Sequence, residues 1–380
     1  MGTSVRDPLK MLMEYEFLKA NNDSLDTEII EQIDEMNRYL SEHPKKDLYG
    51  ASAFWELLGN KHKMLIKKYG FKKFKQTINF EYFQYNIKSL RDKKILSLLV
   101  RLLKEFRVPY GMFLAKVDAK KCLENVPKIS SDQSFNPRIY SIYMGLLWQY
   151  VLMKDLVGCL NICDEPLIGE PIPVNYKGKL ISQDLAISTL ELNSIAKHID
   201  MSKIKKVAEI GAGYGRLAYV AVMKYREMEY CIFDIPPALA ICQNYLAMTM
   251  GQKTVQKFLI DADSTYIKDH PTAKIKAFLP HELESFPDGY FDLVINISSF
   301  DEMQYEQVEN YFSLIDKKCK GWLYVKGHET KPKWCKVSGG GLLELPYKTE
   351  WKLEYHGKDQ FITNFIERIY SLHPKVTQSL

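Results

Sequence analysis

Val207–Ala218 reads VAEIGAGYGRLA: an apolar strand, an acid, three glycines at alternate positions, then the start of a helix. Gly211, Gly213 and Gly215 suit a turn whose backbone takes positive φ or lets a ligand come close. The helix behind them would aim its free N–H groups at whatever lies there. Glu209 stands two residues before the first glycine, and Asp234 stands 19 residues after Gly215, near the end of YCIFDI (Tyr230–Ile235). An acid about 20 residues past such a loop is placed to hold ribose hydroxyls. Loop and acid together predict a ribose-bearing cofactor; a tight βα turn without a ligand is the plain structural alternative. A dinucleotide turn of the G-x-G-x-x-G kind needs a third glycine five residues after the first. That position is Arg216, which counts against NAD.

The elements that must position these residues can be read from the same stretch onward. KVAEI, YCIFDI, KAFLPH, FDLVINI and GWLYVKG are strand-like. Helices are expected from Arg216, from Pro236 (with Gly251 past its end) and from about Asp301 to Lys318. Ser182 is placed to cap a further helix running to His198. Alternating βαβ units imply a parallel sheet covered on both faces. The tail TEWKLEYHGKDQFITNFIERIYSL predicts two antiparallel strands joined around His356–Gly357. Before this, from about Glu14 to Leu160, apolar residues recur at helical spacing, as in Ile29, Ile30, Ile33, Met36 and Leu40. Ile139–Val157 reads as a mostly buried helix. The expected organisation is an α-helical domain over 1–165, a linker over 166–179 rich in proline and glycine, and an α/β domain over 180–380.

E-x-G-x-G-x-G resembles the first motif of class I S-adenosylmethionine (SAM) methyltransferases, and the expected fold is their Rossmann-like sheet with an antiparallel C-terminal hairpin. Further stretches resemble one subfamily, the sugar O-methyltransferases of bacterial polysaccharide and natural-product gene clusters. They are SAFW (Ser52–Trp55), ISQDL (Ile181–Leu185), EIGAGYGRLA, FDIPPAL (Phe233–Leu239) and NISSFDEM (Asn296–Met303). The resemblance implies methyl transfer from SAM to a sugar hydroxyl, on a polysaccharide or a nucleotide-linked sugar. It implies that Glu209 orients the glycine loop or takes the methionine amine, and that Asp234 holds the ribose, unless Asp234 only caps the helix at Pro236. Gln183 and Asp184 would close over SAM or serve as helix-start polar residues. Leu279, Pro280 and His281 fall where adenine contacts belong, and Asn296 opens the segment expected beside the methyl group.

A sugar hydroxyl is a poor nucleophile until its proton leaves, so methyl transfer to it needs a general base. His328 is the first candidate, followed by Glu302 and Asp301, all at expected strand ends. Glu302 has an alternative, because Ser299-x-x-Glu302 is a capping-box pattern. The loop carrying Trp334 and Ser338–Leu342 reads as a lid or a disordered connector.

Composition bounds the rest. Hydrophobic content of 46% and charged content of 26% suit a soluble globular protein. No run of about 18 apolar residues and no signal-like N-terminus occur. The seven scattered cysteines, of which Cys159 and Cys163 are nearest, fit reduced thiols in the cytoplasm better than disulfides or zinc. No metal is expected. Net charge is +5 and 43 lysines outnumber 9 arginines, which disfavours a dedicated nucleic-acid reader. Lys45–Lys75, with nine lysines against two acids, is nonetheless open to a phosphate or RNA reading, or to a lysine-coated helix face. Rivals to the sugar enzyme are a methyltransferase acting on RNA or protein and a non-catalytic SAM-fold partner subunit. The sequence leaves the oligomeric state open.

Overall fold

The computed structural model describes residues 22–79, 91, 93–106, 137–172, 174–176, 178–258, 273–331, 339–359, 361–362 and 364–373. Trp334 and Ser338 of the expected lid lie outside these residues, as do Cys122 and Cys335. Among the described residues no helix is long and apolar enough to cross a membrane.

The N-terminal part is helical: α1 (Asn22–Glu42), α2 (Lys46–Tyr49), α3 (Ala53–Tyr69), α4 (Lys93–Phe106) and α5 (Pro137–Lys154). The periodic residues Ile29, Ile33, Met36 and Leu40 of α1 are buried, each contributing about 1.5–3 kcal/mol of burial. Helix α5 buries Tyr143, Met144, Leu147, Trp148 and Val151, so it is enclosed on most sides. Ser52 caps α3, and Gly70, at φ +81°, ends it. The stretch expected as linker folds partly into a hairpin, β1 (Val174–Tyr176) against β2 (Lys179–Ile181). Its turn residue Gly178 supplies a positive φ.

The remainder is a doubly wound sheet. Helix α6 (Gln183–His198) leads into β3 (Lys206–Ile210), α7 (Arg216–Lys224), β4 (Glu229–Phe233) and α8 (Pro236–Met250). Then come β5 (Val255–Gln256), β6 (Ile275–Phe278), β7 (Phe291–Ile297), α9 (Tyr305–Lys318) and β8 (Cys319–His328), closed by β9 (Lys352–Lys358) and β10 (Phe365–Ser371). The order is β5-β6-β4-β3-β7-β8-β10-β9. Pairings are parallel through β8 and antiparallel for β8–β10 and β10–β9. The expected fold class, with its C-terminal hairpin, is what the chain forms. The hairpin turns at 359–364 rather than at His356–Gly357, which lie inside β9, because Asp359 accepts the N–H groups of Phe361 and Ile362. Helix α9 begins at Tyr305, not Asp301, since the capping box is Gln304–Gln307.

Alternate residues of β3 face opposite layers. Val207 packs in one buried cluster with α6, α7 and α8, while Ala208 and Ile210 pack in another with α9. Residues of α1, α4 and α5 belong to the first cluster, so helical segment and sheet share buried contacts. Pairing of Ile210 with Phe233 and Asn296, and of Asn296 with Val325, brings four strand ends level.

Candidate active site

Beyond those strand ends lies a cavity of about 580 Å³, within the range of small-molecule sites. Its floor is the point where the strand order reverses between β4-β3 and β7, the usual ligand position in open α/β sheets. Gly211, Gly213 and Gly215 all have positive φ, at 76°, 61° and 85°. A Cβ on Gly211 would collide with Ser299, and one on Gly215 with Cys242 and Leu246 of α8. Gly213 has nothing within 4 Å of that position and lies open to the cavity. Two of the glycines are thus needed for packing and the third for access.

The two acids sit behind this loop. Asp234 is not a helix cap: Oδ2 accepts the Gly213 N–H and Oδ1 the Ile235 N–H, each at 2.8 Å. Burial pushes its pKa up to about 7, against these loop amides. Burial also pushes Glu209 up to about 7, while the Tyr230 phenol donates to it at 2.9 Å. Both acids and Gln183 line the cavity. Arg216, the residue in place of a third glycine, forks onto Glu191 at 2.5 and 2.9 Å and reaches Ser188. Lys326 joins it, reaching Glu191 at 3.1 Å and Asp359 at 2.7 Å. Burial alone would raise Glu191, but these two cations hold it below the usual carboxylate range.

Four of the expected cofactor residues do not reach the cavity wall. Asp184 is buried under the loop, where the Tyr214 hydroxyl donates to it at 2.5 Å, so it anchors the loop from behind. Leu279 is fully buried, and the wall at this point is made by Pro280 and Ile235. His281 is half-buried, stacked on His43 at 4.3 Å, and burial lowers it to about 4. Asn296 donates to the Ile210 carbonyl at 2.8 Å and accepts the Phe300 N–H at 3.1 Å. It staples β7 to β3 and fixes the turn that follows, a positioning task carried out off the cavity wall.

That turn, Phe300–Glu302, carries the other candidates. Asp301 is fully buried and does not reach the wall; its Oδ2 takes both the backbone N–H of His328 at 2.9 Å and His328 Nδ1 at 2.5 Å. His328 ends β8 and lines the cavity, edge-on to Phe365. Glu302 also lines it, but makes no capping box: Oε2 accepts the Trp55 indole N–H at 2.9 Å, and Ser299 makes no cap bond. Burial, then the neighbouring Asp301, pushes Glu302 well above the carboxylate range. Ser298, on the same wall, holds φ +51°, the kind of backbone strain found at functional sites.

The opposite wall comes from the helical segment, through Tyr49, Trp55, His62, Asn79 and Tyr143. Of these, only Trp55 falls in a stretch that carried the family resemblance, SAFW; Tyr49 and His62 lie in the lysine-rich segment, and Asn79 and Tyr143 carried no signal. Gln307, Lys326 and Phe365 were missed as well, and Ser298 was named only as part of NISSFDEM. The strand-end position of Ser298 and Lys326, flanking the named candidates, was the one available signal.

Residues 178–262 match the family model of an O-methyltransferase domain. No curated protein matches the chain in sequence. Among solved structures, the chain is similar to a Pyrococcus horikoshii OT3 protein at 15% identity and TM-score 0.34, covering 49% of this chain and 88% of that one. A SAM-dependent methyltransferase from Aquifex aeolicus shares 12% identity, TM-score 0.30, over 50% of this chain and 100% of its own. A phosphoethanolamine N-methyltransferase from Haemonchus contortus, in complex with phosphomonomethylethanolamine and S-adenosylhomocysteine, shares 15% identity, TM-score 0.26, over 36% of this chain and 28% of its own. The C-terminal part has the Rossmann-like methyltransferase fold, and its family match covers the glycine loop and both acids.

Proposed function

We propose that the chain is a SAM-dependent O-methyltransferase acting on a sugar hydroxyl. The observation that carries this reading is a His–Asp pair, His328 and Asp301, on the cavity that also receives Gly213 and Asp234. The open face of Gly213 and the carboxyl groups of Asp234 and Glu209 fit a ribose- and amine-bearing ligand, with Gln183 and Pro280 on the adjoining walls. When bound, SAM would supply an electrophilic methyl on a sulfonium.

The protein's own part is alignment and proton removal. Asp301 accepts from Nδ1–H of His328 and so selects the tautomer whose Nε2 takes the hydroxyl proton. The same carboxylate then faces the imidazolium that forms. The turn holding Asp301 is fixed by Asn296 and the imidazole rests on Phe365, so the base is held on rigid elements. The aromatic wall of Trp55, Tyr49 and Tyr143 suits the apolar face of a sugar ring.

The pair weighs against a non-catalytic subunit. The polyanion reading loses part of its footing, because Lys45 pairs with Glu284, Lys63 with Asp34, and Lys75 is buried on Glu165. The test is calorimetry with S-adenosylhomocysteine and with NAD, followed by methyl transfer to a panel of glycosides and nucleotide sugars. Binding of S-adenosylhomocysteine without NAD binding, and turnover of a sugar, are expected. Failure to bind S-adenosylhomocysteine would overturn the cofactor reading; turnover of RNA or protein alone would overturn the acceptor.

A further inference from the structure

Glu302 faces the cavity that His328 faces, yet the partner of His328 Nδ1 is Asp301, not Glu302. It occupies the residue directly after Asp301, so the turn that orients the imidazole also fixes this carboxyl. Among the described residues it forms no ion pair, and its hydrogen bond comes from the Trp55 indole at 2.9 Å. Trp55 lies in the first turn of α3, behind the Ser52 cap, and its ring meets His62 edge-on at 6.5 Å. The pair therefore joins the helical wall to the strand-end wall across the cavity. Burial without a cation, beside the fully buried Asp301, pushes this carboxyl toward its neutral form. A neutral carboxyl offers one O–H donor and a remaining acceptor.

The geometry points to Glu302, braced by Trp55, as an acceptor-positioning residue that binds a second hydroxyl next to the one His328 deprotonates. The acceptor class is then a ring bearing adjacent hydroxyls, a vicinal diol, rather than an isolated alcohol or a carboxylate. A carboxylate would be placed beside two acids, and an isolated alcohol would leave the O–H of the neutral Glu302 carboxyl unpaired, since the Trp55 indole reaches only its Oε2. This rests on the sugar reading above and narrows it. His328 takes the proton of the reacting hydroxyl, while Glu302 gives up no proton and only shares one with the neighbouring oxygen.

The experiment uses the full chain with S-adenosylhomocysteine bound. Calorimetry measures affinity for methyl glycosides of glucose, galactose and mannose and for their monodeoxy analogues, and turnover with SAM supplies KM and kcat. In wild type, removing the hydroxyl next to the methylated one should weaken binding about tenfold or more. Glu302→Leu should raise KM by a similar factor with kcat nearly unchanged, and should no longer distinguish glycoside from deoxy analogue. Glu302→Gln, which keeps an acceptor for the indole and a donor for the hydroxyl, should restore both. Trp55→Phe should behave as a weaker Glu302→Leu. Equal wild-type affinity for glycoside and every deoxy analogue would overturn the proposal, and needs no variant to fold. Equal loss in Glu302→Gln and Glu302→Leu would also overturn it, showing a strut. Absence of any glycoside binding to a wild type that binds S-adenosylhomocysteine would instead overturn the sugar reading beneath it.

Discussion

Cofactor affinity should depend on pH through Asp234, and the sign follows from its surroundings. In the free protein burial pushes this carboxyl up to about 7. A ligand that donates ribose hydroxyls to it prefers the ionised form, so binding should expel a proton wherever the free carboxyl is still protonated. With a pKa near 7, the ionised share falls about tenfold between pH 8 and pH 6, and affinity should fall by up to that factor, about 1.4 kcal/mol. The same raised pKa makes ionisation unfavourable to the fold. The contribution is most stabilising below the ordinary carboxylate range and is lost as pH rises toward 7. Titration calorimetry of S-adenosylhomocysteine at pH 6, 7 and 8, in buffers of differing ionisation enthalpy, measures affinity and proton release together. Asp234→Asn should flatten the profile and weaken binding at pH 8 by roughly 1.5–3 kcal/mol, the range for hydrogen bonds to a charged group. Glu209 also sits near 7, so Glu209→Gln is the necessary control. A flat wild-type profile, or a slope that survives in Asp234→Asn, would refute the assignment.

His328→Ala should lower the single-turnover rate by roughly 10²–10⁴ and leave S-adenosylhomocysteine affinity unchanged; Asp301→Asn should act in the same direction, and near-normal rates would retire the base. Gly211→Ala should lower stability by roughly 1–3 kcal/mol, since the new Cβ meets Ser299 at positive φ. Gly213→Ala, with open space around it, should lose cofactor affinity more than melting temperature; the reverse order would contradict the loop's division of labour. Replacing Lys67, Lys68, Lys72 and Lys73 by glutamine should leave S-adenosylhomocysteine binding intact, and wild type should show no RNA binding at low salt. Steeply salt-dependent RNA binding lost in the variant would revive the polyanion reading.

The glycine loop and the acid that returns to it were legible because their geometry is imposed on the backbone. Positive φ at three alternate residues demands glycine, and an acid must return to the loop one strand later, so spacing alone located Gly211, Gly213, Gly215 and Asp234. Strand cores were legible because β3 and β7 read as mostly apolar runs bounded by turns. The hairpin turn was misplaced because Gly357 drew the prediction, whereas Asp359 terminates the strand with two side-chain-to-backbone hydrogen bonds. Asp184, His281 and Asn296 illustrate the opposite limit. Each is a polar residue at a plausible rim position, and only packing decides whether its atoms meet a ligand or a neighbouring backbone. Glu302 shows how a local pattern misleads: Ser299-x-x-Glu302 has capping-box spacing, but the partner of Glu302 is Trp55, 247 residues away in sequence.

The acceptor half follows a different logic. The family match ends at residue 262, before Asp301, Glu302 and His328, and it begins after Tyr49, Trp55, Asn79 and Tyr143. It therefore covers the glycine loop, Gln183, Glu209 and Asp234 of the proposed cofactor half, though not Pro280, and none of the residues proposed to hold the acceptor. The cavity joins the two sets, because α3 and α5 share buried contacts with the sheet and extend side chains over its strand ends. On this proposal the loop and its acids answer to the cofactor, while the helical wall and the turn after β7 meet the acceptor. The Trp55–Glu302 hydrogen bond is where those two regions meet. A substitution on either side of it should weaken acceptor binding before it alters cofactor binding.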